Sequence, residues 1–274
     1  MSDITLAIDF AAERDRMVER QIAARGIAGK HLLQAMRTVP REAFVPEHLR
    51  EFAYEDSPLP IESDQTISQP YIVARMIELA ELKPGDKVLD LIPGDGYFTR
   101  IFSKVVGPEG RVYAVWPDNY AKLAAGNVAT LRQLSANASY GNIVTAVQPT
   151  AALAAPEKLD MVWTSQNYHD YPDEFMGKTD PSVLNKAAFA ILKPGGTYLV
   201  IDHSAEAGSG MRDTEALHRI DPATVRAQVE AAGFEFAGES EVLRNPGDPL
   251  TITVFDPAIR GRTSQFAYRF RKPE

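Results

Sequence analysis

Apolar and polar positions follow one pattern up to about residue 80 of this chain and another beyond it. Residues 10–53 are charge-rich, and Met17, Ile22, Leu32, Leu33, Met36, Phe44, Val45 and Leu49 supply apolar positions at helical spacing. Gly26 and the turns at Pro40 and Pro46 divide this run into short helices. The Pro-, Ser- and Asp-rich stretch 53–70 predicts an irregular loop with one short extended piece. A further helix is predicted over 71–82, stopped by Lys83-Pro84-Gly85. From Lys87 on, short apolar runs alternate with amphipathic segments, the pattern of a doubly wound sheet. The predicted strands are 87–91, 111–115, 143–147, 159–164 and 197–201, and the helices 97–106, 118–134, 181–191 and 221–232. Residues 234–243 and 266–271 read as a closing pair of strands, with 251–255 a candidate short strand between them.

The most informative stretch runs from Lys87 to Arg100, KVLDLIPGDGYFTR. A buried strand carrying Asp90 meets a tight turn at Pro93-Gly94-Asp95-Gly96, and a helix opens at Tyr97. In open α/β sheets ligands bind at such junctions, outside the carboxyl ends of the strands. Glycine lets a ligand approach the backbone, and the first helical N–H groups are free to meet it. Gly94 and Gly96 are spaced GxG, and Ile92 stands where a third glycine would be expected.

Composition narrows the chemistry. The 274 residues contain no cysteine, which removes disulfides, thiolate catalysis and cysteine-bound metals. A net charge of -8 with no basic block argues against a nucleic-acid surface. The first residues carry acids and arginines where a secretory leader needs a basic start and an apolar core, and no apolar run reaches the roughly 18 residues of a membrane helix. The expected setting is cytoplasmic, with no membrane partner.

Polar chemistry gathers after the predicted strands. Ser165-Gln166-Asn167-Tyr168-His169-Asp170-Tyr171 follows the fourth, with His169 a candidate general base and Asp170 its orienting or substrate-binding partner. The alternative is a capped loop with Tyr168 and Tyr171 packed inward. Asp202-His203 ends the fifth strand and His218-Arg219 follows. Three histidines and two acids near one face suggest a metal, but they lack a compact ligand spacing and no metal is assigned. Arg212, Arg219, Arg260 and Arg262 are candidate anion contacts, each read singly as surface or structural.

The order of elements, the DKVLDLIPGDG junction and the ILKPGGTYLVIDH turn together resemble class I S-adenosylmethionine-dependent methyltransferases over about residues 70–270. That resemblance implies a Rossmann-like α/β fold, with a seven-stranded, mostly parallel sheet, an antiparallel closing strand and an N-terminal helical region. It divides the chain into a helical cap, 1–80, and a catalytic domain, 81–274. It also implies S-adenosylmethionine as cofactor, on a floor of Asp90, Ile92, Gly94 and Gly96 with Ser165 nearby. Where the family has an acid for the ribose, this chain has Trp116-Pro117-Asp118. By the resemblance Trp116 would stack on adenine or else simply belong to the core, Asp118 would hold the ribose or cap a helix, and Gln148 would read the adenine amino group.

Two narrower resemblances overlap it. RDRMVERQIAARGI, LLQAMRTVPREAFVPEHLREFAYEDSPLPI and QTISQPYIVARMIELAELKPGDKVLD, within residues 14–90, resemble protein-L-isoaspartate O-methyltransferases. In that family the loop corresponding to Gln65-Thr66-Ile67-Ser68 lies over substrate and cofactor, so Thr66 and Ser68 would orient the isoaspartyl carboxylate or the methyl donor. Glu62, Ser63 and Asp64 stand where that family usually has glycines. YAVWP, NYHDY, GMRDTEALHRIDPATVRAQVEAAGF and NPGDPLTITVFDPAIRGRTSQFAYRFRKP, within 88–273, resemble a bacterial group described only as predicted methyltransferases. The head of one family thus looks joined to the body of another near residues 80–90, as in a mosaic or chimera. The expectation is a methyltransferase acting on a small-molecule or peptide substrate. The alternatives are isoaspartyl methylation in particular, or an inactive or engineered α/β scaffold or binding module. The sequence is silent on oligomeric state.

Overall fold

The computed structural model describes residues 8–61 and 65–274. Helix α1 (Phe10–Met17) starts at Asp9, whose carboxylate accepts the N–H groups of Ala11 and Ala12. It runs on through a wider turn and stops at Gly26, whose φ of 94° only glycine adopts freely. Helix α2 (Lys30–Thr38) and two single turns follow. The stretch expected to be irregular contains a small antiparallel ladder of β1 (Leu59–Pro60) and β2 (Thr66–Ile67). Leu59 and Ile67 face each other across it and are both buried, which sets its register. The expected substitutions at Glu62, Ser63 and Asp64 lie outside the described residues. Helix α3 (Pro70–Glu78) opens on proline, where the missing N–H costs nothing.

The main sheet begins at β3 (Lys87–Leu91), followed by α4 (Tyr97–Val106), β4 (Arg111–Pro117), α5 (Asp118–Ala121), α6 (Ala125–Ser135), β5 (Ile143–Gln148) and β6 (Leu159–Ser165). Then come α7 (Pro181–Ile191), β7 (Leu192–His203), α8 (Thr214–Leu217), α9 (Pro222–Ala231), β8 (Glu235–Ser240) and β9 (Gln265–Arg271). The strand order is β5-β4-β3-β6-β7-β9-β8. The first five of these strands are parallel, and β9 lies antiparallel between β7 and β8. This is the Rossmann-like α/β sheet that the resemblance implied. Strand β3 is where the order reverses, the position at which open sheets bind ligands.

Three elements differ from the pattern. The helix expected over 118–134 breaks into α5 and α6 at Ala124, whose ψ of 21° leaves the helical range; Leu123 beside it is 70% exposed. The fifth strand extends back to Leu192, which pairs with Leu159 across a register shift. Residues 251–255 form turns rather than a strand. Leu250 has a φ of 63°, its N–H is held by Asp248, and the Ile252 carbonyl accepts from Arg219.

Side chains alternate between two cores, as the two-residue period of a strand requires. Val88, Val112, Ala114, Trp116, Met161, Trp163, Leu199 and Ile201 face one core. Leu89, Tyr113, Val115, Val162, Tyr198 and Val200 face the other, with α7 and α9. Met17, Met36 and Val73 belong to the first core, so one apolar cluster crosses the boundary near residue 80. Among the described residues, no helix is long and apolar enough to cross a membrane.

Candidate functional site

The turn after β3 is built on left-handed backbone. Ile92, Gly94 and Gly96 have φ values of 54°, 55° and 81°. Gly96 is required by packing, since a Cβ there would lie 2.4 Å from the Leu131 side chain of α6. A Cβ at Gly94 would meet nothing within 4 Å, so the space over this peptide is clear for a ligand. Ile92 adopts the conformation of the missing glycine despite its branched side chain, held by a hydrogen bond from its N–H to the Val115 carbonyl.

Asp90 lies just below the turn and is only 2% exposed. Burial pushes its carboxyl up to about 7, against the opposing hydrogen bond from Thr99. It lines a cleft with Ile92, Gly94, Ser165 and the Gln65-Thr66-Ile67-Ser68 loop. Phe44, Tyr97, Phe98 and Trp163 form the cleft's aromatic side. Trp163 packs on Phe98 and Phe102 at 5.3 and 5.1 Å between ring centres.

The loop is tied down from below by Arg41. This fully buried residue donates from Nε to the Ala53 carbonyl at 2.8 Å and reaches the Ser57 and Ile67 carbonyls at 3.5 Å. Its guanidinium carbon lies 5.8 Å from the centre of the Tyr97 ring, so the loop and α4 share one anchor.

Thr66, Ser68, Asp90, Ile92, Gly94 and Ser165 all line the cleft. Gly96 supports the turn from behind. The expected adenine and ribose contacts lie elsewhere. Trp116 is fully buried in the core, and its indole N–H meets no acceptor among the described residues. It shares the inward face of β4 with Val112 and Ala114, which directs it into packing. Asp118 is exposed at the start of α5, where its carboxylate accepts the Asn119 N–H. Gln148 uses both ends of its amide on Ala154, closing its own loop. Sequence reasoning missed the cleft residues Trp163, Phe98 and Phe44.

His169 and Asp170 do not line this cleft. Their loop dives under the sheet edge, with Tyr168 and Tyr171 fully buried, as the capped-loop alternative described. Asp202 accepts from the His169 backbone N–H at 2.8 Å and lies 2.7 Å from His169 Nδ1. Asp170 lies 3.0 Å from His169 Nε2. Burial works against a charged imidazole, but these two carboxylates outweigh it and hold His169 protonated well above its usual range. The structure therefore does not bring His169, the expected general base, to the cleft beside the glycine turn. Arg219 forms a buried two-pronged pair with Asp248 at 2.9 Å and is structural.

Comparison with known proteins bears on this geometry. The profile of the protein-L-isoaspartate(D-aspartate) O-methyltransferase family matches residues 12–152. Protein-L-isoaspartate O-methyltransferase 1 of Rhodopseudomonas palustris (strain HaA2) is 46% identical over 138 residues, covering 49% of this chain and 56% of the relative. The protein-L-isoaspartate O-methyltransferase of Hyperthermus butylicus is 37% identical over 175 residues, covering 63% and 73%. The chain spans about half the length of the curated relatives it matches first. A SAM-dependent methyltransferase from Aquifex aeolicus shares the fold, with a TM-score of 0.52 at 18% identity over 73% of this chain and 88% of that one. The family match continues past Asp90, where the sequence resemblance to that family had been expected to end, and takes in β4 and β5.

Proposed function

The chain belongs to the protein-L-isoaspartate(D-aspartate) O-methyltransferase family, and from that membership we propose that it transfers a methyl group from S-adenosylmethionine to an isoaspartyl carboxylate of a protein or peptide. One observation carries the reading. The glycine turn and the Thr66–Ser68 loop, far apart in sequence, line the same cleft.

The cleft fits the amino-acid end of the cofactor. Asp90 offers a buried acid to an ammonium group, and the clear space over Gly94 admits a ligand to the backbone. The bound cofactor would supply an electrophilic methyl group on a sulfonium. The rest of the work falls to side chains already in position. Ser68 and Thr66 donate hydroxyl hydrogen bonds that orient the acceptor carboxylate. Phe44, Tyr97, Phe98 and Trp163 exclude water, so the carboxylate meets the methyl group partly desolvated. An isoaspartyl carboxylate is already ionised at neutral pH and needs no base, which agrees with the absence of His169 from the cleft lining.

Calorimetry with S-adenosylhomocysteine, then a methyl-transfer assay on an isoaspartyl peptide, tests the proposal. Saturable binding and transfer to that peptide, but not to its aspartyl form, are expected. No binding at millimolar ligand would sink the enzyme reading, and binding without transfer would point to another acceptor. A second reading, a scaffold without turnover, draws on the positions of Asp118 and Gln148. Neither lines the cleft.

A further inference from the structure

Away from the cleft, at the same carboxyl edge of the sheet, three side chains from two separate loops converge. We propose that His169, Asp170 and His218 bind a divalent zinc ion, with Asp202 fixing the orientation of His169. His169 Nε2 lies 3.0 Å from Asp170 Oδ1 and 3.4 Å from His218 Nδ1, and His218 Nδ1 lies 3.7 Å from Asp170 Oδ1. Tetrahedral zinc with bonds of about 2.0–2.1 Å keeps its ligand atoms roughly 3.3 Å apart. The three atoms therefore surround a point about 2 Å from each, the length of a zinc–nitrogen or zinc–oxygen bond.

The surroundings are those of a metal ligand set. Asp202, fully buried, engages His169 at Nδ1, which leaves Nε2 to face the other two donors. Metal-binding histidines are commonly oriented in this way by a carboxylate on the second ring nitrogen. Asp202 is itself fixed by the backbone N–H groups of His169 and His203. His218 has a φ of 54°, a conformation costly for a non-glycine residue, and its ring packs edge-on against Phe255. That strained backbone delivers Nδ1 to the cluster.

Charge and access agree. Asp170 and Asp202 flank the His169 imidazole, Asp170 also approaches His218, and the nearby Arg219 is neutralised by Asp248. Two imidazoles and one carboxylate with a fourth position for water form a ligand set that zinc takes in three-ligand protein sites. His169 and Asp202 are closed off, whereas the side chains of Asp170 and His218 keep 17% and 28% of their exposure. The ion would enter from that side and keep a fourth position for water. It would tie the loop after β6 to the segment after α8. None of the three ligands lines the cleft, so this site stands apart from the methyl-transfer reading.

The test uses the full chain, stripped with chelator and titrated with zinc chloride by calorimetry, with metal content measured after dialysis. One zinc per chain with micromolar or tighter affinity is expected, together with a zinc-dependent rise in Tm. His218→Ala, at a half-exposed position, should keep the fold by circular dichroism and lose at least 100-fold in affinity. Asp202→Asn removes no ligand atom, yet should weaken binding 10- to 100-fold. His31→Ala, in the exposed part of the helical head, should change nothing. Failure of the wild-type chain to take up zinc, or affinity unchanged in His218→Ala, would overturn the proposal.

Discussion

Thr99 Oγ1 donates a 2.6 Å hydrogen bond to Asp90 Oδ2, joining the first turn of α4 to the end of β3. That bond is the partner the structure gives the buried carboxylate, and it does not offset the loss of water. Burial leaves Asp90 at about 7 rather than the model-peptide value near 3.9. The folded chain therefore holds this proton more tightly than the unfolded chain. Its contribution runs opposite to that of a salt-bridged acid. The ionised form costs stability above pH 7, and the cost fades as pH falls toward 4. Asp90→Asn removes it. The variant should be more stable than wild type at pH 8, by up to about 4 kcal/mol, with the gap shrinking at pH 5. Urea unfolding at both pH values measures this, and a gap that widens at pH 5 would contradict it.

The same group links cofactor binding to protons. A ligand ammonium beside Asp90 favours the carboxylate, so binding below pH 7 must expel a proton. S-adenosylhomocysteine affinity should rise between pH 6 and pH 8. Calorimetry in buffers of different ionisation enthalpy should detect the released proton, and Asp90→Asn should abolish the release.

Ile92 predicts an inverted substitution order. In a helix interior alanine is more stable than glycine by about 1 kcal/mol. Here the left-handed φ of 54° penalises any side chain, by roughly 1–2 kcal/mol. Ile92→Gly should therefore be at least as stable as Ile92→Ala in urea unfolding. Because the isoleucine side chain lines the cleft, the glycine variant should also bind S-adenosylhomocysteine several-fold more tightly. A glycine variant clearly less stable than the alanine variant would remove strain from the account.

The fold was legible because its strands are short apolar runs punctuated by Lys-Pro-Gly and Gly-Asp-Gly turns, which leave little choice of element. The cleft was half legible. Thr66, Ser68 and Asp90 carry local motifs, but the aromatic side depends on register. Trp163 pairs directly across from Asp90, whereas Trp116 lies on β4 opposite Val147, so only the first borders the cleft. Nothing local in either sequence neighbourhood separates the two tryptophans. His169 and His218 are 49 residues apart; the sequence puts both near one sheet edge but carries no compact ligand spacing that would join them.

Ser68 and Asp118 separate the two ends of the proposed site. Ser68→Ala should lower kcat on an isoaspartyl peptide by about 10- to 100-fold with little change in S-adenosylhomocysteine affinity, because the lost hydroxyl orients the acceptor. Asp118→Ala should leave that affinity within about twofold, since the side chain is exposed and turned to its own helix. A large loss of affinity in Asp118→Ala would mean that α5 moves toward the cleft when ligand binds.

Arg41 makes the last prediction. A buried guanidinium holding carbonyls rather than a carboxylate is an expensive anchor, and burial lowers its pKa. Its Nη1 has no hydrogen-bond partner among the described residues. Arg41→Lys keeps the charge but loses the planar fork that reaches Ala53, Ser57 and Ile67 together. Arg41→Met keeps much of the volume and removes the buried charge. If the anchor serves mainly to position the loop, Arg41→Met should leave stability near wild type, while amide exchange over residues 53–61 and 65–69 accelerates and KM for the peptide rises. If its role is stability alone, unfolding should shift with no selective change in exchange there. Because deleting a buried charge together with its desolvation cost is often neutral, the exchange pattern rather than Tm decides between them.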